Sequence, residues 1–147
     1  MRSFAQGVVV VTTAGDDGPR GITVSSFTSV CLSPDIVLIC IMKESRAHDA
    51  VARGRFTVNV LAEDQGPVSD HFASSKLSSA EQFEGYSFPK LEGCLGYLQC
   101  RIVGQSAQGD HTVFFGEVEQ AEMGKEGRPL VFCSRQYWGL GESVHER

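Results

Sequence analysis

The run Asp35-Ile36-Val37-Leu38-Ile39-Cys40-Ile41-Met42, fenced by Ser33-Pro34 before it and Lys43-Glu44-Ser45 after it, constrains the fold more than any other part of the chain. It has the length of a strand rather than a helix, and apolar side chains at odd and even positions alike require cover on both faces. One face belongs inside a barrel and the other against a further surface, for which a second copy of the chain is the natural source. The surrounding pattern is mostly β. Gly7-Val8-Val9-Val10-Val11-Thr12-Thr13 is β-branched almost throughout, ends in the turn-forming Gly15-Asp16-Asp17-Gly18-Pro19, and resumes over residues 20–25 as the second arm of a hairpin. Residues 55–62 read as the next strand, 94–107 and 111–123 as two long strands joined by Gln108-Gly109-Asp110, and 129–134 as a last short one. Ser45 is placed to N-cap a short helix through Ala52, which Gly54 would stop. Residues 64–74 read as a second helix with Val68, Phe72 and Ala73 inward, and residues 74–90 as irregular and polar. Six or so hairpin-linked strands with short inserted helices predict a mostly β fold, a closed or nearly closed antiparallel barrel.

A chain of 147 residues is the size of one domain. A net charge of −5 and a pI near 5.3, without any run of like charges, argue against nucleic acid or an anionic membrane as partner. The longest apolar runs, residues 8–11 and 36–42, fall far short of the ~20 residues that span a bilayer. The N-terminus lacks the apolar core of a signal peptide, so a cytoplasmic location is the expectation. Cys31, Cys40, Cys94, Cys100 and Cys133 are odd in number and scattered, with no C-x-x-C and no histidine at zinc-like spacing, which predicts reduced, mostly buried thiols and no metal site. Neither G-x-G-x-x-G nor a Walker-type loop is present, so any nucleotide is held in some other way.

The stretch Gly21-Ile22-Thr23-Val24-Ser25-Ser26-Phe27-Thr28-Ser29-Val30 breaks off an apolar strand and offers five hydroxyl side chains within seven residues. Hydroxyls with an intervening aromatic suit a neutral, hydrogen-bond-rich ligand or phosphate oxygens rather than a metal. The plainer reading is a solvated strand end with Ser/Thr turns.

Four segments in order carry a resemblance: Phe4-Ala5-Gln6-Gly7-Val8-Val9-Val10-Val11-Thr12-Thr13; residues 21–34, ending Cys31-Leu32-Ser33-Pro34; Phe56-Thr57-Val58-Asn59-Val60-Leu61-Ala62; and Gly109-Asp110-His111. Together they resemble the flavin reductase domain with its FMN-binding, antiparallel Greek-key split β-barrel, and most of all the small reductase components of two-component flavin monooxygenases. The resemblance runs from Phe4 to about Leu140. It departs in two places: the helix that usually precedes the first segment is short or missing, and residues 74–91 match nothing in the pattern.

The resemblance implies a homodimer in which each barrel holds FMN or FAD, reduced by NADH or NADPH and passed to a separate monooxygenase. Carried over by position, Thr23, Val24, Ser25, Ser26 and Phe27 would line the isoalloxazine edge, with Cys40 and Ile41 on the adjacent strand. Ser45 and Arg46 would lie near the ribityl phosphate, and Asn59, Val60, Leu61, Gln65 and Phe72 would complete the far wall. His111 would serve the nicotinamide side as the catalytic residue, with Tyr137 a second contact. His48, His71 and His145 receive no role. Hydride transfer between nicotinamide and flavin requires stacked, aligned rings, so the protein's task is position and hydrogen bonding rather than nucleophilic or metal chemistry. Two alternatives share these residues: a barrel that uses bound FMN as a fixed prosthetic group for another redox reaction, and a non-catalytic flavin-binding protein. The Gly109-Asp110-His111 signature favours the reductase.

Overall fold

The computed structural model describes residues 2–74 and 76–144. His145 therefore lies outside the described residues. The strands are β1 (Gln6–Gly7), β2 (Val9–Gly15), β3 (Gly18–Val24), β4 (Thr28–Leu32), β5 (Asp35–Met42), β6 (Arg55–Val60), β7 (Gly96–Gln108), β8 (His111–Met123), β9 (Val131–Cys133) and β10 (Gln136–Trp138). Three short helices, α1 (His48–Ala52), α2 (Gly66–Ala73) and α3 (Ser79–Phe83), are inserted between them. Seven strands form one antiparallel sheet in the order β3-β2-β6-β7-β8-β5-β4, and β1, β9 and β10 form a small second sheet.

The valine run explains how one strand serves both sides of the fold. Val9 and Val11 point into a barrel interior with Val37, Ile39, Ile41, Phe56, Val58 and Phe114. Val8 and Val10 point the other way, toward Leu61, Phe72, Leu91 and Leu130. Alternation along one strand thus feeds two apolar clusters, each fully buried side chain contributing roughly 1.5–3 kcal/mol. Between β1 and β2 the chain crosses at Val8, whose N–H donates to Leu130 O and whose carbonyl accepts from Leu61 N. The expected strand over 7–13 is for this reason two strands.

Strand β5 has the predicted bounds, and β7 and β8 pair along nearly their whole length. Gly109-Asp110 is a two-residue turn with φ +54° at Gly109, a sign that favours glycine. On β5, Val37, Ile39 and Ile41 are buried while Ile36, Leu38 and Cys40 on the other face are only half-buried.

Four expectations need correction. The helix after β5 does not start at Ser45: α1 begins at His48 with Ala47 as its N-cap, and the Ser45 hydroxyl accepts from Ala47 N at 3.2 Å in a local turn. It ends as foreseen at Gly54, whose φ is +124°. On α2, Phe72 and Ser69 are buried, but Ala73 is exposed at its last turn. Residues 74–90 are not irregular throughout, since Ser78 and Glu81 close a reciprocal capping box that starts α3. Finally, only Cys94 and Cys100 are buried, while Cys31, Cys40 and Cys133 are half-buried.

Candidate functional site

The large sheet curls until β3 lies beside β5, yet no ladder joins the two among the described residues. The chain leaves β3 at Val24, crosses through Ser25-Ser26-Phe27 and returns as β4, which pairs with the first half of β5. This leaves a seam, and the seam is an open cleft of about 310 Å³ lined by Ile22, Thr23, Val24, Ser25, Ser26, Cys40, Ile41, Met42 and His111. The N–H groups of Ser25, Ser26 and Phe27 make no main-chain hydrogen bond among the described residues.

The seam adjoins a small recess of about 50 Å³, and the two share Ile22. The recess is walled by Arg20, Gly21, Ser45, Arg46, Phe72, Ser74, Leu77 and Gln82, among others. Arg20, buried at 8% exposure, pairs with Asp17. The Arg46 guanidinium donates to Leu77 O at 3.1 Å and bridges the recess rim. The Gln82 amide brackets Gly21, accepting from its N–H and donating to its carbonyl, each at 2.9 Å, and so docks α3 on the edge of β3. Gly21 admits no side chain, because an added Cβ would stand 2.5 Å from Phe72 Cδ1. Two arginines with serine hydroxyls at one end of a largely apolar seam form a site suited to an anion.

At the end of β5, β5 and β8 set Met42 opposite His111. The His111 ring, partly exposed, lies with Nδ1 2.8 Å from Asp110 Oδ1. That bond and Asp110's own backbone hold the Asp110 carboxyl below its ordinary value. An ionised Asp110 requires the proton on His111 Nδ1, which leaves Nε2 as the acceptor of the neutral ring. Lys43 ties the hairpin down, its Nζ donating to Gly109 O at 2.7 Å and its N–H to Asp110 O at 2.8 Å.

Of the site residues read from the sequence, Thr23, Val24, Ser25, Ser26, Cys40, Ile41 and His111 come together in the cleft, and Ser45, Arg46 and Phe72 in the adjoining recess. The others do not. Asn59 is fully buried; its amide donates to Val10 O and Thr12 Oγ1 and accepts from Leu91 N, because it must pin residues 89–91 across β2 and β6. Leu61 is buried in the second core, and Gln65 spends its amide on Ala62 N and Glu92 O. Val60 and Phe27 line a separate apolar hollow with Tyr97, Leu98 and Met123. The Tyr137 hydroxyl is 2.8 Å from both Ser69 Oγ and Asp70 Oδ1, and burial raises its pKa. Thr23 also grips α2, donating to Ser69 O at 2.7 Å. Arg20, Met42 and Gln82 were missed. Arg20 had a signal, since it shares with Ile22 and Val24 the face of β3 turned to the interior.

The sequence profile of the flavin reductase like domain matches residues 1–141. The reductase component of the 4-nitrophenol 4-monooxygenase/4-nitrocatechol 2-monooxygenase of Rhodococcus opacus is 38% identical over 133 residues, 88% of this chain and 71% of the relative. The reductase component of the 4-hydroxyphenylacetate 3-monooxygenase of Thermus thermophilus is 36% identical over 93% of this chain and 90% of its own length. Among solved structures, the NADH:FAD oxidoreductase SgcE6 of Streptomyces globisporus, in complex with NAD and FAD fragments, superposes with a TM-score of 0.88 at 33% identity, covering 97% of this chain and 90% of that one. The chain belongs to the flavin reductase like family and is an NAD(P)H:flavin oxidoreductase.

Proposed function

We propose that the β3–β5 seam is the flavin site, with the isoalloxazine edge along residues 23–26 and the ribityl phosphate toward Ser45, Arg46 and Arg20. The single observation that carries this is a cleft lined by Ser25 and Ser26, whose N–H groups make no main-chain hydrogen bond among the described residues, adjoining through Ile22 a recess that holds two arginines. The residues fit a flavin: apolar Ile22 and Ile41 for a planar ring, N–H donors for its polar edge, and cations for its phosphate. A bound flavin supplies the electron sink for hydride from the reduced nicotinamide.

His111 lines the same cleft, within reach of a dinucleotide stacked on the flavin. With Nδ1–H held by Asp110, Nε2 accepts a carboxamide N–H and so orients the nicotinamide over the seam. The cleft is open rather than enclosed, which suits a flavin that enters oxidised and leaves reduced, and we assign the chain to the supply of reduced flavin to a separate monooxygenase in the cytoplasm. The half-buried outer face of β5, with Leu32 82% exposed beside it on β4, favours a homodimer.

The test is to mix the purified protein with NADH and free FMN or FAD and follow the reduced-nicotinamide absorbance. Turnover well beyond one equivalent of enzyme is the expected result. A single equivalent consumed would mean a fixed prosthetic flavin, and none a binding protein.

A further inference from the structure

Where the crossover leaves β3, one side chain, among the described residues, ties it to β5. Ser26 Oγ donates to Cys40 O at 3.0 Å and accepts from Cys40 N at 3.0 Å. One hydroxyl thereby makes both hydrogen bonds that a paired residue of a neighbouring strand would make with its main chain. Elsewhere around the sheet, consecutive neighbours from β3 to β5 are joined by ladders of four or more residue pairs. Cys40 is the first of the three β5 residues that line the cleft, next after the β4-paired stretch of β5 and Ile39. The Ser26 hydroxyl, with its donor and an acceptor lone pair spent on the protein, has little left to offer a ligand, unlike Ser25, whose hydroxyl has no partner among the described residues.

We infer that Ser26 is a positioning residue, a clasp that sets the separation of β3 and β5 and with it the width of the flavin cleft and the rate at which flavin passes in and out. This rests on the reading of the seam as the flavin site. The clasp is weak enough to open, being two hydrogen bonds to one group, whereas a ladder would have sealed the seam and left no cleft.

The experiment compares wild type, Ser26→Ala and Ser26→Thr by amide hydrogen exchange of the flavin-free protein, and by stopped-flow association and dissociation of FMN followed through flavin fluorescence. In Ser26→Ala the Cys40 amide should exchange about tenfold or more faster, in line with the loss of one to two hydrogen bonds. FMN association and dissociation should both accelerate severalfold, with the KM for NADH little changed. Ser26→Thr, which keeps the hydroxyl, should return each of these to near wild type. Faster FMN dissociation with unaltered Cys40 exchange and unaltered association would make Ser26 a direct ligand and overturn the clasp. No change in either measurement would also overturn it, as would faster exchange spread evenly over the barrel, which marks general destabilisation. A wild-type protein that binds neither FMN nor FAD would overturn the site assignment instead, and Cys40 exchange would still report on the clasp.

Discussion

The β3–β5 seam and the floor beneath the small sheet are both rich in polar side chains set among apolar strands, and they use them in opposite ways. On the floor, Asn59, Gln65 and Thr12 are buried, and each is bonded to main-chain groups of crossing segments. Among the described residues no buried side-chain polar atom lacks a partner. At the seam, the N–H groups of Ser25, Ser26 and Phe27 make no main-chain hydrogen bond among the described residues, and polar side chains stand half-exposed along a cleft. The floor's polar groups replace secondary structure where the chain must turn under a sheet. The seam's unsatisfied groups persist because water or a ligand satisfies them. A polar residue in an apolar strand therefore says little about ligands until its partners are counted.

The sharpest way to break this contrast is Asn59→Ala. The change removes the amide that joins β2, β6 and residues 89–91, orphans Leu91 N–H and opens a small void. A loss of about 2–4 kcal/mol of stability is expected, a fall in Tm of roughly 5–15 °C for a domain of this size. FMN affinity measured well below the new Tm should stay within about twofold, since a floor residue shapes no cleft wall. A held Tm with lost affinity would move Asn59 to the ligand site and erase the distinction.

The same contrast explains what the sequence disclosed. The strands and most of their boundaries were legible because β-branched runs, turn residues and the two-faced apolar pattern of residues 35–42 are local signals. Segments that lie far apart in sequence and meet in space were not. Nothing in the neighbourhood of Asn59 reveals that Leu91 will need its carbonyl oxygen, and nothing near Ser26 reveals that Cys40 will lack a strand partner. The position-by-position resemblance brought Thr23, Ser26, Cys40 and His111 to one cleft, but the roles of the two hydroxyls changed once their partners were visible. Helix α3 had a local signal, the Ser78-Ser79-Ala80-Glu81 box, that was passed over because the segment is otherwise polar and short. The small sheet of β1, β9 and β10 was obscured for another reason, its strands having only two or three residues each.

A second test sharpens the phosphate end of the seam. Helix α1 is too short and starts too late to present an N-terminus there, so the attraction for an anion rests on side chains alone. Replacing Ser45 and Arg46 together by alanine should weaken FMN about tenfold. Charge-assisted hydrogen bonds are worth roughly 1.5–3 kcal/mol, discounted here for an exposed arginine already bonded to Leu77 O. Riboflavin, which lacks the phosphate, should lose less than about twofold. Equal losses measured by fluorescence titration would place the phosphate elsewhere.

The smallest expected effect lies at His111. His111→Ala should raise the KM for NADH roughly threefold to tenfold, the value of one hydrogen bond of ~0.5–1.5 kcal/mol, with FMN affinity nearly unchanged. The same substitution has a signature independent of turnover. The His111 ring is the first cause of Asp110's lowered pKa, so the variant's Asp110 should titrate closer to the ordinary carboxylate value in a carboxyl-carbon NMR experiment. The sign follows from the direction of the shift. A carboxyl whose folded pKa is depressed stabilises the fold above its ordinary pKa, and that contribution fades as pH falls through the lowered value. In the wild type the Asp110–His111 contact should therefore persist to a pH below the ordinary carboxylate range and be lost only on further acidification. If kcat collapsed in His111→Ala with KM unchanged, the ring would be acting on hydride transfer itself rather than on the dinucleotide. An unshifted Asp110 titration would show that the two side chains do not hold each other in solution, and the acceptor role of Nε2 would lose its physical basis.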